Sequence, residues 1–150
     1  MERTLVLVKP DGIQRGLTGE IIARLEKTGL RIVAMKMIWM DEVLARRHYA
    51  IHEGKPFFLK LVKFITSCPI VAVVFEGRKA VEVVRKVMGT TDGAVAAPGT
   101  IRGDLGTDLG MNLVHGSDSA ENAKKEIALF FKEGEILSYT RDIDKWIIES

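Results

Sequence analysis

One histidine of this chain stands immediately before a run that is typical of the start of a helix. His115 is followed by residues 116–119, which read Gly-Ser-Asp-Ser. A neutral imidazole is a competent nucleophile near pH 7, because its unperturbed pKa is about 6.5. Serine and aspartate favour the first position of a helix, where free N–H groups attract anions. A nucleophile beside an anion site indicates phosphoryl transfer.

A carboxylate further along the chain could orient this histidine. On a helical wheel of about 3.6 residues per turn, Glu126 falls at the edge of the predicted buried stripe. That stripe consists of Ala120, Ala123, Ile127 and Phe130. We predict that Glu126 accepts a hydrogen bond from one ring nitrogen of His115, which leaves the other nitrogen free to attack. An ordinary surface glutamate is the alternative.

Cationic and hydroxyl side chains could hold phosphate groups near that histidine. The chain has neither a G-x-x-x-x-G-K-[ST] P-loop nor a G-x-G-x-x-G that opens a helix, so side chains rather than backbone must bind phosphates. The candidates are Lys9, Arg85, Arg102, Thr91 and Tyr49. Taken singly, Lys9 could be a solvated strand end, and Arg85 could complement the dipole of its own helix.

Two other kinds of site are disfavoured. His48 and His52 are spaced for one face of a helix, but H-E-x-x-H is absent and no third ligand is nearby, so no protein-held metal is expected. Ser117 lacks the G-x-S-x-G setting of a serine nucleophile. Helix capping fits better, because Glu121 stands where a capping box that begins at Asp118 would need it.

Predicted strands and helices alternate along the chain. The strands cover residues 4–8, 32–39, 70–75 and 113–114. The helices begin at Thr18 and Asp41, follow Pro56, and cover residues 78–88 and 118–131. Thr18 and Asp41 have side chains suited to capping, whereas Gly29 and Gly89 end helices. No repeat or linker divides this series of elements.

A long glycine-rich segment interrupts the alternation between Gly89 and Gly110. It contains six glycines and Pro98, and we find no helical or strand period in it. Structureless loops of roughly 20 residues are uncommon in compact domains and are usually functional or disordered. Ile101 and Arg102 interrupt the small residues, and the segment leads into the strand of the candidate nucleophile. We interpret it as a binding loop rather than a flexible surface connection.

Composition predicts one folded domain over residues 1–150. The chain is 47% hydrophobic and 28% charged, an ordinary globular balance. The net charge of +2 and the scattered basic residues do not suggest nucleic acid as a partner. Cys68 is the only cysteine, and no apolar run approaches the ~20 residues of a membrane span. We expect a cytoplasmic protein that needs neither membrane nor nucleic acid.

Four separated motifs resemble those of the nucleoside diphosphate kinases. They are Val8–Gly16 (VKPDGIQRG), Lys55–Phe58 (KPFF), Pro98–Asp104 (PGTIRGD) and Asn112–Ser119 (NLVHGSDS). Their shared order and spacing make the resemblance more specific than any one motif. It implies transfer of the γ-phosphoryl group from a nucleoside triphosphate to a nucleoside diphosphate. The mechanism would be ping-pong through a phosphohistidine, with broad base tolerance, and would maintain the NTP and dNTP pools.

The resemblance also implies roles for the reacting groups. By this likeness His115 is the phosphorylated nucleophile, Glu126 orients it, and Ser117 supports Glu126. Lys9 would contribute positive charge to the reaction, together with Mg²⁺. The sequence offers no dedicated carboxylate cage, which agrees with Mg²⁺ arriving on the nucleotide phosphates.

Further residues match nucleotide-binding positions of that family. They are Lys9, Tyr49, His52, Phe57, Arg85, Thr91, Arg102, Leu109 and Asn112. The resemblance implies that Phe57 stacks on the base, with Leu109 on its other side. Because every base has a π-face, such stacking tolerates all of them. Asn112 with Lys9 would bind the ribose, and His52 matches a position that is histidine in some members only.

Strand and helix alternation alone would suit a doubly wound parallel sheet. The resemblance instead implies an α+β fold with a ferredoxin-like βαββαβ core. Its four-stranded sheet would be antiparallel, with a helical hairpin inserted after the second strand and a long glycine-rich loop.

Assembly is a further expectation from the resemblance. The apolar tail at Trp146–Ile148 is similar to the longer tails of hexameric members, which predicts a hexamer. Residues 91–93 read Thr-Asp-Gly where many relatives have a proline shortly after the threonine, so the loop could be looser here. A non-catalytic nucleic-acid module and a histidine phosphocarrier acting on proteins are the alternative functions.

Overall fold

The computed structural model describes residues 1–149 of the chain. Its elements in chain order are β1 (Glu2–Val8), α1 (Pro10–Gln14), α2 (Thr18–Glu26), β2 (Arg31–Ile38), α3 (Glu42–His48), α4 (Phe58–Ile65), β3 (Ile70–Gly77), α5 (Ala80–Met88), α6 (Ile101–Leu105), β4 (Val114–Gly116) and α7 (Ala120–Phe130). Short 3-10 turns lie at Ala50–His52, Glu133–Glu135 and Asp144–Trp146. No helix within residues 1–149 is both long and apolar enough to cross a membrane.

The four strands form one antiparallel sheet in the order β2-β3-β1-β4. With helices between the strands, this is the ferredoxin-like βαββαβ arrangement, so that prediction is confirmed. The short helices α3 and α4 provide the insertion after β2. The parallel sheet that alternation alone allowed is wrong, because β1 runs antiparallel to both of its neighbours.

Helices cover both faces of the sheet, which explains the continuous apolar runs of the central strands. On β1, Leu5 and Leu7 pack with residues of α3, α4 and α7, whereas Val6 and Val8 pack with α2 and α5. Because side chains alternate between faces, a strand covered on both sides must be apolar at every position. Leu7 pairs with His115 on β4, and residues paired across a sheet share a face. His115 therefore faces the α3 and α7 side.

Helix starts were predicted with mixed success. The carboxylate of Asp41 accepts a hydrogen bond from the N–H of Leu44 at 2.8 Å, which confirms this cap. Thr18 does not cap α2, because Thr18 is already the first helical residue and no side chain caps the preceding position. The helix buries Ile21 and Leu25 against the sheet, and this packing holds it without a side-chain cap.

Helix α7 begins at Ala120, two residues later than predicted, and its capping residue lies one residue later than predicted. Ser119, not Asp118, is the capping residue, and its Oγ accepts a hydrogen bond from the N–H of Asn122 at 3.1 Å. Asp118 instead accepts from the side chain of Asn122 at 2.6 Å. Ala120, the first residue of α7, is exposed rather than part of the buried stripe, which consists of Ala123, Ile127 and Phe130.

The glycine-rich segment contains regular structure that was not predicted. Helix α6 lies within it, and Thr100 caps that helix by accepting a hydrogen bond from the N–H of Gly103 at 3.0 Å. A helix of five residues is too short to show a hydrophobic period. Gly103 also argues against a helix in the sequence, because glycine is a poor helix former. Glycine is nevertheless required there, because a Cβ would lie 2.0 Å from the carbonyl oxygen of Ala97.

The turn without proline at residues 91–93 is closed by other contacts. The carboxylate of Asp92 accepts a hydrogen bond from the N–H of Ala94 at 2.9 Å. The N–H of Gly93 donates to the carbonyl of Asp108 at 3.2 Å. A Cβ at position 93 would lie 2.7 Å from the backbone carbon of Gly106, so glycine permits this close approach.

Candidate active site

His115 lies in the middle of β4 and contacts the carboxylate of Glu126 on α7. Its Nε2 is 3.1 Å from Oε1 of Glu126, so the predicted hydrogen bond is present. An ionised carboxylate can only accept, so Nε2 carries the hydrogen of this bond. The other ring nitrogen, Nδ1, then keeps its lone pair for attack.

Ser117 holds the same carboxylate oxygen of Glu126. Its hydroxyl donates to Oε1 of Glu126 at 2.6 Å, and its N–H donates to the carbonyl of Leu5 at 3.1 Å. Burial opposes ionisation of Glu126, but the hydrogen bonds from His115 and Ser117 outweigh it and lower the pKa of Glu126. The carboxylate is therefore ionised at neutral pH and fixed in direction.

His48 is a neighbour of His115 that the sequence did not reveal. The two rings meet edge to face with their centroids 4.8 Å apart, and Phe130 lies 5.5 Å from His48 on another side. Burial lowers the pKa of His48 to about 3, so this ring is neutral. In the sequence, the only sign that His48 belongs to the site is its position next to Tyr49. No local pattern predicts that the end of α3 lies beside β4.

These histidines and Glu126 are side chains of types that can bind a metal ion. Within residues 1–149, His48, His115 and Glu126 are the one group of three metal-binding side chains, and their ligand atoms spread over up to 4.8 Å. Nε2 of His115 and Oε1 of Glu126 are joined by a hydrogen bond at 3.1 Å, so both atoms already have a partner. The contacts of His115 with Glu126 and His48 are thus those of a positioned nucleophile.

A run of rings connects His115 to the predicted base-binding residue. From His48 it continues to Tyr49 at 4.7 Å, to His52 at 6.4 Å and to Phe57 at 5.3 Å, all between centroids. Phe57 is 44% exposed, so one face is available for stacking. Burial raises the pKa of Tyr49 to about 12, so its hydroxyl stays a hydrogen-bond donor. His52 instead contacts Lys55, whose Nζ lies 3.3 Å from its Nδ1.

Lys9 and Asn112 meet on the opposite side of the site. Nζ of Lys9 donates to Oδ1 of Asn112 at 2.7 Å and to the carbonyl of Gly110 at 3.3 Å. Burial lowers the pKa of Lys9 to about 8, with the nearby charge of Asp11 acting against that shift and Arg102 adding to it. Neither of these two hydrogen-bond acceptors carries a charge, so an anion would stabilise the ammonium further.

Asn112 also fixes the glycine-rich loop. Its amide nitrogen donates to the carbonyls of Thr91 at 3.2 Å and Leu109 at 3.0 Å. The side chain of Leu109 is 60% exposed, and Thr91 is also exposed. The loop residues predicted to contact nucleotide are thereby tied to the residue predicted to contact ribose.

Arg102 is more buried than a simple phosphate ligand would be. It is 7% exposed, and its nitrogens donate to the carbonyls of Asn112 (3.2 Å), Gly89 (3.1 Å) and Val114 (2.6 Å). A guanidinium has five N–H groups, so one on each terminal nitrogen remains available. Burial lowers the pKa of Arg102 to about 10, helped by the charge of Arg85.

Arg85 completes the cationic side of the site. It lies in the last turn of α5, is exposed, and places Nη1 3.4 Å from the carbonyl of Gly116, directly after His115. The structure therefore brings the predicted residues into two groups that flank His115. One is the run of rings from α3 to α4, and the other joins Lys9, Asn112 and the two arginines.

Sequence comparison agrees across almost the whole chain. The family profile described as nucleoside diphosphate kinase matches residues 2–136. A nucleoside diphosphate kinase of Dehalococcoides mccartyi is 61% identical over 141 residues, which cover 94% of this chain and 99% of the relative. One of Archaeoglobus fulgidus is 57% identical over 149 residues, which cover 99% of both chains.

Solved structures agree as well. A halophilic nucleoside diphosphate kinase from Halobacterium salinarum, solved in complex with CDP, superposes with a TM-score of 0.96. It is 55% identical and the match covers 99% of each chain. The chain therefore belongs to the nucleoside diphosphate kinase family, the phosphotransferases that move phosphate between nucleoside triphosphates and nucleoside diphosphates through a phosphohistidine.

Proposed function

We propose that Nδ1 of His115 is the nucleophile of this reaction. It attacks the γ-phosphorus of a nucleoside triphosphate, the N–P bond forms, and the bond from that phosphorus to the bridging oxygen breaks. The nucleoside diphosphate leaves, and a second diphosphate takes the phosphoryl group by the reverse route. The contact of Nε2 with Glu126 is the observation that carries this assignment, because it leaves Nδ1 free.

Glu126 and Ser117 have a defined part in this proposal. Once Nδ1 is phosphorylated and Nε2 keeps its hydrogen, the ring carries a positive charge. The ionised carboxylate of Glu126 compensates that charge, and the hydroxyl of Ser117 holds the carboxylate in place. Electrostatic compensation that is already in position needs no reorganisation during the reaction.

The cations flanking His115 would bind the phosphates. Lys9, Arg85 and Arg102 converge on this region, and a buried lysine whose pKa is lowered to about 8 gains from a nearby anion. Phosphoryl transfer asks the protein mainly for position and for neutralised oxygen charges. The hydroxyls of Thr91 and Tyr49, and the ring of His52, would complete the phosphate contacts.

The nucleoside would lie between the run of rings and the loop. Phe57 offers an exposed face to the base, Leu109 offers an exposed apolar side chain, and Asn112 with Lys9 would bind the ribose. Stacking explains broad base tolerance. The CDP complex of the Halobacterium salinarum relative supports a nucleoside diphosphate as ligand.

Magnesium would reach this site on the nucleotide. Its preferred ligands are oxygens, whereas the one three-residue metal-type group within residues 1–149 contains two imidazoles. The side chains present therefore suit a Mg²⁺ held by phosphate oxygens, with Lys9, Arg85 and Arg102 binding the remaining charge. When bound, the ion would neutralise part of the phosphate charge.

We further propose a cytoplasmic hexamer, folded as one domain, that maintains nucleotide pools without nucleic acid or membrane. The tail supports assembly, because it is held against the protein while its apolar surface faces outward. Arg141 donates to the carbonyl of Gly29 at 2.7 Å, and Trp146 is 80% exposed. Light scattering should give close to six times the chain mass of 16.7 kDa, and a monomeric mass would contradict this.

Labelling tests the proposed nucleophile. Wild type and His115→Ala are incubated with γ-³²P-ATP and Mg²⁺, freed of nucleotide, and treated with unlabelled GDP. We expect an acid-labile, base-stable label on the wild type that GDP removes as GTP, and no label on His115→Ala. Circular dichroism confirms that the variant is folded. Label retained by a folded His115→Ala would refute the assignment.

A further inference from the structure

The backbone immediately before the candidate nucleophile adopts an unusual conformation. Leu113 has φ 74°, one of two residues other than glycine with positive φ within residues 1–149. The N–H of Val114 donates to the carbonyl of Asn112 at 2.8 Å, which closes a three-residue turn around Leu113. A γ-turn with positive φ at its centre is rare and strained. The turn lies between Asn112 and His115, so its shape sets their relative position.

Neighbouring elements hold this turn by its backbone groups. The N–H of Leu113 donates to Oδ2 of Asp11 at 2.9 Å, and its carbonyl accepts from the N–H of Lys9 at 2.9 Å. Arg102 donates to the carbonyls on both sides, those of Asn112 and Val114. Such a conformation persists only where its surroundings determine it fully.

Within residues 1–149, Asp11 is the residue whose side chain forms a hydrogen bond with the backbone of Leu113. It lies in the first turn of α1, and the next residue, Gly12, lets that helix approach closely. A Cβ at Gly12 would lie 3.0 Å from the carbonyl oxygen of Leu113. The second oxygen of Asp11, Oδ1, is buried without a partner within residues 1–149. The hydrogen bond from the N–H of Leu113 to Oδ2 is thus the side-chain hydrogen bond that this carboxylate makes within residues 1–149.

We propose that Asp11 is a positioning residue for phosphoryl transfer. Its carboxylate holds Leu113 in the left-handed conformation and thereby fixes His115 relative to Asn112. This inference rests on the proposed role of His115 and deepens it. Misplacing reacting groups by about 1 Å costs on the order of 100-fold in rate. Loss of the clamp therefore slows phosphorylation of His115 at saturating ATP.

The first arm compares Asp11→Ala with Asp11→Asn. The rate of phosphohistidine formation is measured in single turnovers at saturating γ-³²P-ATP, per folded molecule, with urea unfolding in parallel. Asp11→Ala is expected to be about 10- to 100-fold slower. Asp11→Asn keeps an oxygen that accepts from the N–H of Leu113, so it is expected to recover most of that loss. Glu26→Ala is the control, because it removes an exposed carboxylate at the end of α2, and it is expected to leave the rate unchanged.

The second arm removes the strain itself. Leu113→Gly and Leu113→Ala both lose the buried side chain, but only glycine adopts positive φ freely. Adding Asp11→Ala should slow the alanine background about 10-fold or more and the glycine background less than about threefold. The proposal would be overturned if Asp11→Ala slowed phosphohistidine formation equally in both backgrounds. It would also be overturned if folded Asp11→Ala reacted at the wild-type rate. Absence of label on the wild type would instead refute the role of His115.

Discussion

At the scale of single residues, the reaction centre depends on which ring nitrogen of His115 is left free. The helical wheel predicted that Glu126 bonds one ring nitrogen, because a carboxylate at the margin of an apolar stripe needs a partner. Which nitrogen it bonds was not predicted, and the structure identifies Nε2. His48 was not predictable in the same way. Its ring reaches His115 only through the packing of α3 against α7, and local sequence carries no sign of that contact.

Replacing Glu126 tests charge compensation. Glu126→Gln keeps an oxygen that accepts from Nε2 of His115 but removes the negative charge, so we expect phosphohistidine formation to slow by about 10- to 100-fold. Single-turnover labelling measures this rate. Glu121→Gln is the matched control, because Glu121 lies on the same helix with its side chain 83% exposed. Equal rates for the two variants would contradict the assigned role.

Lys9 should impose an alkaline limit on activity. Its pKa is lowered to about 8, mainly by burial, so its ammonium loses a proton as the pH rises through that value. Because kcat/KM reports the protonation state of the free enzyme, we expect kcat/KM to fall above about pH 8. We expect kcat to hold to higher pH, because bound phosphate stabilises the positive charge of Lys9. A kcat/KM that stays level to pH 10 would show that the Lys9 charge is not required.

At the scale of elements, the strands and most helices were predictable, and the two five-residue helices α1 and α6 were not. Continuous apolar runs revealed β1 and β3, which are covered on both faces. Helices α1 and α6 have five residues each, and glycine stands in both, so neither has a period to detect. The motif PGTIRGD identified the segment of α6 as functional, although it gave no indication that Arg102 would be buried.

We expect Arg102 to stabilise the folded protein in addition to its proposed role in binding phosphate. It joins α6 to three backbone carbonyls, and a lysine cannot reach three separate acceptors in a planar fork. We expect Arg102→Lys to lower the free energy of unfolding by about 2–3 kcal/mol, because buried carbonyls lose their partners. Arg24→Lys, which alters surface ion pairs, should cost less than about 1 kcal/mol. Indistinguishable urea unfolding curves for the two variants would contradict this.

At the scale of the whole molecule, charged side chains tie the sheet to the tail. Glu76 on β3 pairs with Arg3 at 2.8 Å and Arg31 at 2.5 Å, and Arg31 also reaches Asp144 at 2.8 Å. The tail was predicted from its apolar residues alone. Ion pairs between residues so distant in sequence leave no local pattern, so this attachment was not predictable.

Acid should weaken the molecule in part through Glu76. Burial opposes its ionisation, but hydrogen bonds from Arg31 and Arg3 outweigh this and lower its pKa below the ordinary 4.5. The unfolded chain therefore binds a proton first as the pH falls, and the stability that is present above about pH 4.5 is lost below it. Urea unfolding between pH 6 and pH 3 should show a shallower decline for Glu76→Gln than for the wild type. The exposed control Glu42→Gln should follow the wild type, and an unchanged slope in Glu76→Gln would count against the network.

The most direct test of the account identifies the phosphorylated atom. The protein is labelled with ATP, denatured in base, and examined by peptide mass spectrometry and phosphorus–proton correlation NMR. Because Nε2 of His115 is engaged by Glu126, we predict phosphate on Nδ1 of His115. Phosphate on Nε2, or on any residue other than His115, would contradict it.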